Sequence, residues 1–322
     1  MGSGTFISMR FGEGNEKGLK EGICASFALI ASLTVILNFL AFLFLDKIKI
    51  FLQVPDEVWF PMRSYLIFIF CGIIATFLYN YFASLLRALG NSMVPLVFLA
   101  VSALLNIALD LWFVIGLKWG TAGAARATVA AQYVSGIGIA LYSLIRVPCM
   151  RLKKDELHIR PGCMKEISSF SLLTCVQQSV MNLGILLVQG VVNSFGPVVM
   201  AAFAAAVKID AFAYMPVQDF GNAFSTFIAQ NYGAKKEERI RASLRGAVAA
   251  SAMFCIIIST VVCLFARPLM LLFINADETA IVAEGVRYLR IEGAFYCGIG
   301  CLFLLYGLYR ALGRPGMSVV LT

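Results

Sequence analysis

The sequence predicts an all-α, polytopic membrane protein built from two pseudo-symmetric helical bundles, and three observations support this prediction. Hydrophobic residues make up 60% of the 322 residues and charged residues only 14%, unlike the usual composition of water-soluble domains. Several uncharged stretches are long enough to cross a bilayer, which takes about 20 apolar residues per helix. Residues 5–12 (TFISMRFG) also return as residues 226–233 (TFIAQNYG), and 86–90 (LRALG) return as 309–313 (YRALG). Such an internal repeat indicates two bundles of similar structure.

The uncharged stretches predict about eight complete transmembrane helices. A turn-forming segment at 194–197 (SFGP) divides the longest apolar run into two of them. The predicted helices comprise residues 21–45, 61–86, 93–116, 121–145, 167–192, 198–229, 243–266 and 284–309. We therefore expect a first bundle at residues 1–145, a connecting loop at 146–166 and a second bundle at 167–322.

The repeat further predicts partial helices at both ends of the sequence. Two predicted helices precede residue 226, whereas only four residues precede residue 5. Residues 316–322 begin an apolar run, whereas the first copy continues beyond residue 90 through two more predicted helices. We therefore expect the sequence to correspond to the middle of a twelve-helix protein.

The basic residues predict how the protein is oriented in the membrane. The sequence carries a formal net charge of +8, and most of its Lys and Arg residues lie in loops on one side of the predicted helices. These loops comprise residues 9–20, 86–92, 146–165, 232–245 and 310–314. Because positively charged loops stay in the cytoplasm, we expect a multi-pass protein of the inner (plasma) membrane with these loops cytoplasmic. The alternative is a nucleic-acid-binding surface. The spacing of the charges between membrane helices disfavours it, so the expected surroundings are membrane lipids and not nucleic acid.

The sequence lacks the residue patterns of common catalytic and metal sites. Its nine cysteines are scattered, mostly within apolar stretches, and form no CxxC pair. Cys297 and Cys301 share a helix face, but a metal would need further ligands nearby, so we interpret them as packing residues. The single histidine, His158, lies in a basic loop, and no nucleotide-binding fingerprint is found. We therefore expect neither an enzyme nor a cofactor, and an ion gradient as the energy source.

Asn106 and Asp110 are the most informative polar residues within the predicted helices. They are four residues apart and therefore share a helix face. Burial in the membrane disfavours the charged form of a carboxyl group, so Asp110 could take up a proton on one side and release it on the other. Asp110 could instead provide oxygen ligands for a transient Na⁺, together with Asn106. A third interpretation is that Asp110 reaches the membrane interface and only caps or pairs there.

The second predicted bundle contains more polar residues within its helices. The candidate site residues there are Asp210, Lys208, Gln178, Asn182 and Glu292. A cation-coupling role for the two acids is one interpretation. In the other, Lys208 pairs with an acid to fix the packing, and the two amides form hydrogen bonds between helices.

Residues 105–128 (LNIALDLWFVIGLKWGTAGAARAT) closely resemble the fifth and sixth helices of the multidrug and toxic compound extrusion (MATE) transporters. Further similar stretches are RFG at 10–12, RALGN at 87–91, QNYGA at 230–234 and the region from 201 to 216. They occur in the family's order, and the similar stretches extend from residue 4 to about 316.

The resemblance implies two six-helix lobes around a central cleft. It also implies export of small organic, often cationic or amphipathic compounds in exchange for H⁺ or Na⁺ by alternating access. Asn106, Asp110 and Thr128 match three positions of the family's first-lobe site, whereas the family's helix-one aspartate has no counterpart here. We expect a monomer. Two alternatives remain, namely a lipid-linked oligosaccharide flippase of the same superfamily and an inactive, truncated membrane fragment.

Overall fold

The structure, a computed structural model, describes residues 2–51, 56–150 and 160–322, and the described residues form α-helices without a β-strand. His158 lies outside the described residues. The helices are α1 (Gly2–Gly12), α2 (Glu16–Leu43), α3 (Leu45–Phe51), α4 (Asp56–Ala88), α5 (Met93–Asp110), α6 (Gly120–Arg146), α7 (Pro161–Asn193), α8 (Pro197–Gly233), α9 (Glu237–Leu264), α10 (Ala266–Leu271), α11 (Thr279–Ala294), α12 (Tyr296–Ala311) and α13 (Pro315–Val320). A π-helical segment, Leu111–Gly116, directly follows α5, and a short 3-10 helix, Pro148–Met150, follows α6. The predicted all-α fold is confirmed.

The described part of the chain contains seven helices that are long and apolar enough to cross a membrane. They are α2, α4, α5 with its π-helical extension, α6, α7, α8 and α9. The pair α11 and α12 would form an eighth span, bent by 49°. The prediction of about eight apolar spans is thereby confirmed. The last one was predicted as a continuous helix over 284–309, and it is instead broken at Phe295, where the amide donates to the Glu292 carbonyl at 2.9 Å.

The helices pack into two compact units, and each has its own apolar core. The first unit comprises residues 15–168, and the second comprises residues 2–14 and 169–322. Ala75, Leu85, Ala125 and Ile139 are among the fully buried residues of the first unit. The core of the second unit is built around Ala206, Cys255, Met270 and Leu289. One boundary differs from the predicted division, because residues 2–14 pack in the second unit although they were assigned to the first bundle.

This difference has its origin in a contact between α1 and the C-terminal part of α8. Gly12 lies against the backbone of Gln230, and Gly233 lies against the backbone of Met9. A Cβ atom at either glycine would clash with the facing carbonyl oxygen, so only glycine permits this approach. The two contacts are equivalent in the repeat, since Gly12 corresponds to Gly233 and Met9 to Gln230. The two copies of the repeated segment therefore pack against each other with near two-fold symmetry.

Alanine at either of these glycines is expected to destabilise the second unit. In Gly12→Ala or Gly233→Ala the new methyl group must push two helix backbones apart, and overpacking of this kind costs about 1–3 kcal/mol. Gly246→Ala on α9 is the matched control, because nothing lies within 4 Å of the position of its Cβ atom. That substitution should be neutral or slightly stabilising, since alanine favours helix over glycine. Thermal unfolding of the detergent-solubilised variants measures the difference, and equal melting temperatures for all three would contradict the described contact.

Candidate functional site

A cavity of about 260 Å³ lies among α4, α5 and α6 of the first unit. It is lined by Thr76, Tyr79, Leu99, Ser102, Ala103, Asn106, Thr128, Ala131, Gln132 and Ser135. None of these lining residues carries a charge, and most have small, hydroxyl or amide side chains. Beside the cavity α4 and α6 approach each other closely, because a Cβ atom on Gly136 would lie only 2.6 Å from the Ala75 carbonyl oxygen.

Hydrogen bonds between helices fix the polar lining of this cavity. The Asn106 amide donates to the Thr128 hydroxyl at 3.4 Å, which joins α5 to α6. The Thr76 hydroxyl donates to the Gln132 side-chain oxygen at 3.1 Å, which joins α4 to α6. The Tyr79 hydroxyl donates to the Pro95 carbonyl at 3.0 Å. The structure therefore brings together two of the three predicted first-lobe site residues, and all three helices contribute to the lining.

Asp110 is the last residue of α5, one helical turn beyond Asn106. Its side chain is half-buried, and its Oδ1 atom is buried without a hydrogen-bond partner in the described part of the chain. The π-helical segment Leu111–Gly116 begins immediately after it. π-Helical turns are rare and occur frequently at functional sites. Asp110 is therefore a half-buried carboxyl group one helical turn from the cavity-lining Asn106, with a buried oxygen that no described group satisfies.

A second group of polar residues lies in the second unit, between α8 and the bent pair α11–α12. Asp210 is only 8% exposed, and the Tyr296 hydroxyl donates to its Oδ1 atom at 2.5 Å. Glu292 interacts electrostatically with Asp210 and with Tyr288. Asp210 Oδ2 and Glu292 Oε2 are buried without a hydrogen-bond partner among the described residues. We call Asp210, Glu292, Tyr288 and Tyr296 the carboxyl cluster.

The break between α11 and α12 positions this cluster. Glu292 lies in the last turn of α11, and Tyr296 is the first residue of α12. Because the helix axis bends by 49° between them, residues from both helices can face Asp210 on α8. The Phe203 ring packs edge-on against Tyr288, with the ring centroids 5.3 Å apart, and this contact shields one side of the cluster.

The other predicted residues of the second unit do not join the carboxyl cluster. Lys208 is exposed, and its Nζ atom lies 5.7 Å from the centroid of the Phe273 ring. Lys208 forms no ion pair with an acid in the described ranges, and the intramembrane ion pair stays an untested alternative. Asn182 is exposed and Gln178 is half-buried, whereas the neighbouring Gln177 is only 5% exposed. The helical phase of α7 therefore differs from the predicted one.

Several polar residues of both sites were not selected from the sequence. They are Thr76, Tyr79 and Gln132 in the cavity, and Tyr288 and Tyr296 in the carboxyl cluster. A signal for Thr76 and Gln132 was present, because polar side chains within apolar spans usually face the protein interior. Tyr288 and Tyr296 each lie four residues from Glu292, which is the spacing of neighbours on a helix face.

No group of three or more His, Cys, Asp or Glu side chains that could hold a metal ion occurs in the described ranges. The carboxyl cluster offers two carboxyl groups and two phenol oxygens, a set that suits a proton or a weakly bound monovalent cation.

The MatE family model matches residues 1–112 and 174–322. The chain is 31% identical over 320 residues to the probable multidrug resistance protein YpnP of Bacillus subtilis, covering 98% of this chain and 70% of that protein. It is 24% identical over 326 residues to the probable multidrug resistance protein NorM of Thermotoga maritima, covering 100% of this chain and 70% of that protein.

The fold is also similar to that of solved structures. One is the outward-facing conformation of a multidrug resistance MATE family transporter of the MOP superfamily, with a TM-score of 0.92 and 20% sequence identity. The similarity covers 99% of this chain and 71% of the solved one.

Proposed function

The chain belongs to the MATE family of multidrug transporters, and on this premise we propose that it exports small organic compounds in exchange for H⁺ or Na⁺. The proposed substrates are cationic or amphipathic, and the proposed mechanism is alternating access. The chain is a multi-pass membrane protein, which we assign to the inner membrane as a monomer. The cytoplasmic loops in this proposal are residues 9–20, 86–92, 146–165, 232–245 and 310–314. The proposal includes no catalytic reaction and no resident cofactor.

The buried Oδ1 atom of Asp110 is the observation that supports cation coupling most. A carboxylate oxygen without a hydrogen-bond partner is costly in a membrane interior. A proton on Asp110 removes the charge, and a bound Na⁺ compensates it. The free-energy cost of the uncompensated charge depends on how far water reaches Asp110. In alternating access, water reaches the site differently in the two conformations, so their affinity for the cation differs. A ligand shifts a conformational equilibrium only through such a difference in affinity.

Asn106 and Thr128 connect Asp110 with the substrate cavity. Their mutual hydrogen bond is long, at 3.4 Å, and a polar group of a substrate can replace it at little cost. The cavity volume of about 260 Å³ lies slightly below the usual ligand-pocket range of about 300–1,000 Å³, so it would receive one end of a substrate. Substrate and cation would then bind one helical turn apart on α5, and each would influence the affinity for the other.

The carboxyl cluster is the second proposed cation site. Two neighbouring carboxyl groups repel each other when both are charged, so a single proton or Na⁺ between them is strongly favoured. Asp210 Oδ2 and Glu292 Oε2 have no hydrogen-bond partner in the described chain and are the atoms that would bind it. The Tyr296 hydroxyl holds the opposite oxygen of Asp210 and so orients the carboxyl group.

A flippase for lipid-linked oligosaccharides is the competing function within the same superfamily. Such a substrate carries phosphate groups, which proteins bind mainly with Arg and Lys side chains. The cavity in the first unit is lined by uncharged residues. This lining favours organic compounds over a phosphate-bearing headgroup at this site.

Transport by the purified protein in proteoliposomes tests the proposed function. We expect a pH or Na⁺ gradient to drive a fluorescent organic cation such as ethidium across the proteoliposome membrane. This transport should stop when the gradient is collapsed. Separate H⁺ and Na⁺ gradients identify the coupling ion. Movement of a fluorescent lipid-linked oligosaccharide without gradient-dependent ethidium transport would favour the flippase. Transport of neither compound would support the inactive fragment and contradict the proposal.

A further inference from the structure

Arg126 lies between two aromatic rings in the first unit. Its guanidinium carbon is 4.6 Å from the centroid of the Phe68 ring on α4 and 4.7 Å from the centroid of the Trp119 ring. The two rings form no ring contact with each other in the described chain, so they cover different sides of the guanidinium group. Cation–π contacts of this kind stabilise the position of a guanidinium group, more strongly when the contact is desolvated.

Trp119 is itself fixed by the segment that follows α5. Its ring packs on Phe113 with the centroids 5.1 Å apart, and its amide donates to the Phe113 carbonyl at 3.0 Å. Gly123 leaves room for this arrangement, because a Cβ atom there would lie 3.0 Å from the Trp119 Cβ atom. Phe113, Trp119, Arg126 and Phe68 thus form one continuous stack, which holds the guanidinium group in a defined orientation.

The N–H groups of Arg126 are available for a ligand. The side chain is exposed, and it forms no hydrogen bond or ion pair within the part of the chain that the structure describes. Its central carbon lies over two aromatic rings, and the edge of the planar guanidinium group still presents N–H donors in a fixed fork. This fork fits the two oxygens of a phosphate or carboxylate. A charged group at this position without a partner would be costly in an apolar environment, which favours an anionic ligand.

The position of Arg126 along α6 indicates that its guanidinium group can reach the membrane–water interface. Arg126 lies six residues after Gly120, the first residue of the apolar helix α6, and therefore about 9 Å along the helix axis. Trp112 packs on Phe113 with the ring centroids 5.4 Å apart and is 60% exposed, so it adds apolar surface to the stack. Tryptophan is enriched at the membrane–water interface, and a long arginine side chain can reach the headgroup region from this depth.

We propose that Arg126, held by Phe68 and Trp119, binds an oxyanion of an amphipathic molecule, in the first instance the phosphate of a phospholipid headgroup. The site lies outside the uncharged cavity lining and does not depend on the proposed transport function. A tightly held lipid here would join α4, α6 and the π-helical segment that follows Asp110.

Native mass spectrometry of the detergent-purified chain tests this proposal. The protein is titrated with phosphatidylglycerol and, separately, with phosphatidylcholine of the same acyl chains, and the occupancy of the first bound lipid is measured. We expect Arg126→Gln to weaken phosphatidylglycerol binding about tenfold, which corresponds to about 1.4 kcal/mol. Arg126→Lys should lose most of the binding, because an ammonium group keeps the charge but not the fork. Arg63→Gln is the matched control. It removes the same charge from the same unit, but at a residue already paired with Asp46 at 3.4 Å.

Inorganic phosphate and benzoate, added as competitors, distinguish the source of the oxyanion. If neither displaces the lipid, the ligand is a phospholipid. If either displaces it from the unmodified chain in an Arg126-dependent manner, the same site accepts soluble anions.

If Arg126→Gln does not fold, Phe68→Leu keeps the charge and removes one ring, and it should weaken binding severalfold. Equal lipid binding by the Arg126 and Arg63 variants would overturn the proposal. A lower melting temperature of Arg126→Gln with unchanged lipid binding would also overturn the proposal, because the stack would then only stabilise the packing of the helices.

Discussion

Asp110→Asn is expected to reduce gradient-driven efflux to the rate of vesicles without protein. Asparagine has nearly the same shape as aspartate, so the end of α5 should stay intact. It can neither hold a transferable proton nor offer a charged oxygen to Na⁺. Without a difference in cation affinity between conformations, the ion gradient has no means of shifting the equilibrium between them.

The control for this variant is Asp277→Asn, in the exposed turn between α10 and α11. It removes the same charge at an exposed residue that belongs to neither candidate site, and it should transport like the unmodified protein. Ethidium efflux driven by a pH gradient and by a Na⁺ gradient is measured for both variants. Normal efflux by Asp110→Asn would exclude Asp110 as the coupling residue, even if the chain proved to be a transporter.

Neutralising either acid of the carboxyl cluster is expected to uncouple transport from the cation. In Asp210→Asn or Glu292→Gln only one carboxyl group remains, so the repulsion that favours a shared cation is absent. The variants should still move substrate down its own concentration gradient. Uphill accumulation should fall at least tenfold, which corresponds to about 1.4 kcal/mol of lost coupling.

Glu284→Gln is the matched control for the carboxyl cluster. Glu284 lies on the same helix, α11, with an exposed side chain, so its loss changes the net charge equally without affecting the cluster. Tyr296→Phe removes the 2.5 Å hydrogen bond to Asp210 but keeps both acids, and it should alter the cation dependence without abolishing coupling. Full uphill accumulation by both acid variants would show that the cluster has only a structural role.

The helices could be predicted from the sequence because the membrane imposes their length. Uncharged stretches of about 20 residues bounded by charges locate each span, and the observed helices agree except at Phe295. The break there has no proline to indicate it. Its neighbours Glu292 and Tyr296 belong to the carboxyl cluster, which involves a third residue on α8. A bend that accompanies contacts with another helix cannot be predicted from local sequence alone.

The packing of α1 shows a second limit of the sequence. The repeat identified residues 5–12 and 226–233 as equivalent, but equivalence does not reveal that the two copies touch. Their contact depends on Gly12 and Gly233 facing each other's backbones, and this is a matter of tertiary geometry. A repeat therefore predicts similar elements, whereas the way those elements pair needs the structure.

The candidate sites were predictable to different degrees. Asn106 and Asp110 share a face of one helix, and this follows from their spacing alone, whereas the contact between Asn106 and Thr128 was implied by the family resemblance. On α7, by contrast, the sequence favoured Gln178 and the structure buries Gln177. The spacing of polar residues defines which of them share a face, but the buried face depends on the helices packed against it.

Cation release on substrate binding tests the central claim most directly, namely that the Asp110 carboxyl group exchanges its cation when substrate enters. Ethidium is added to the purified protein in weakly buffered detergent solution, and released H⁺ is followed with a pH indicator, or released Na⁺ with ²²Na⁺. We predict cation release by the unmodified protein and none by Asp110→Asn at the same ethidium occupancy. Equal release by the two proteins would contradict the claim.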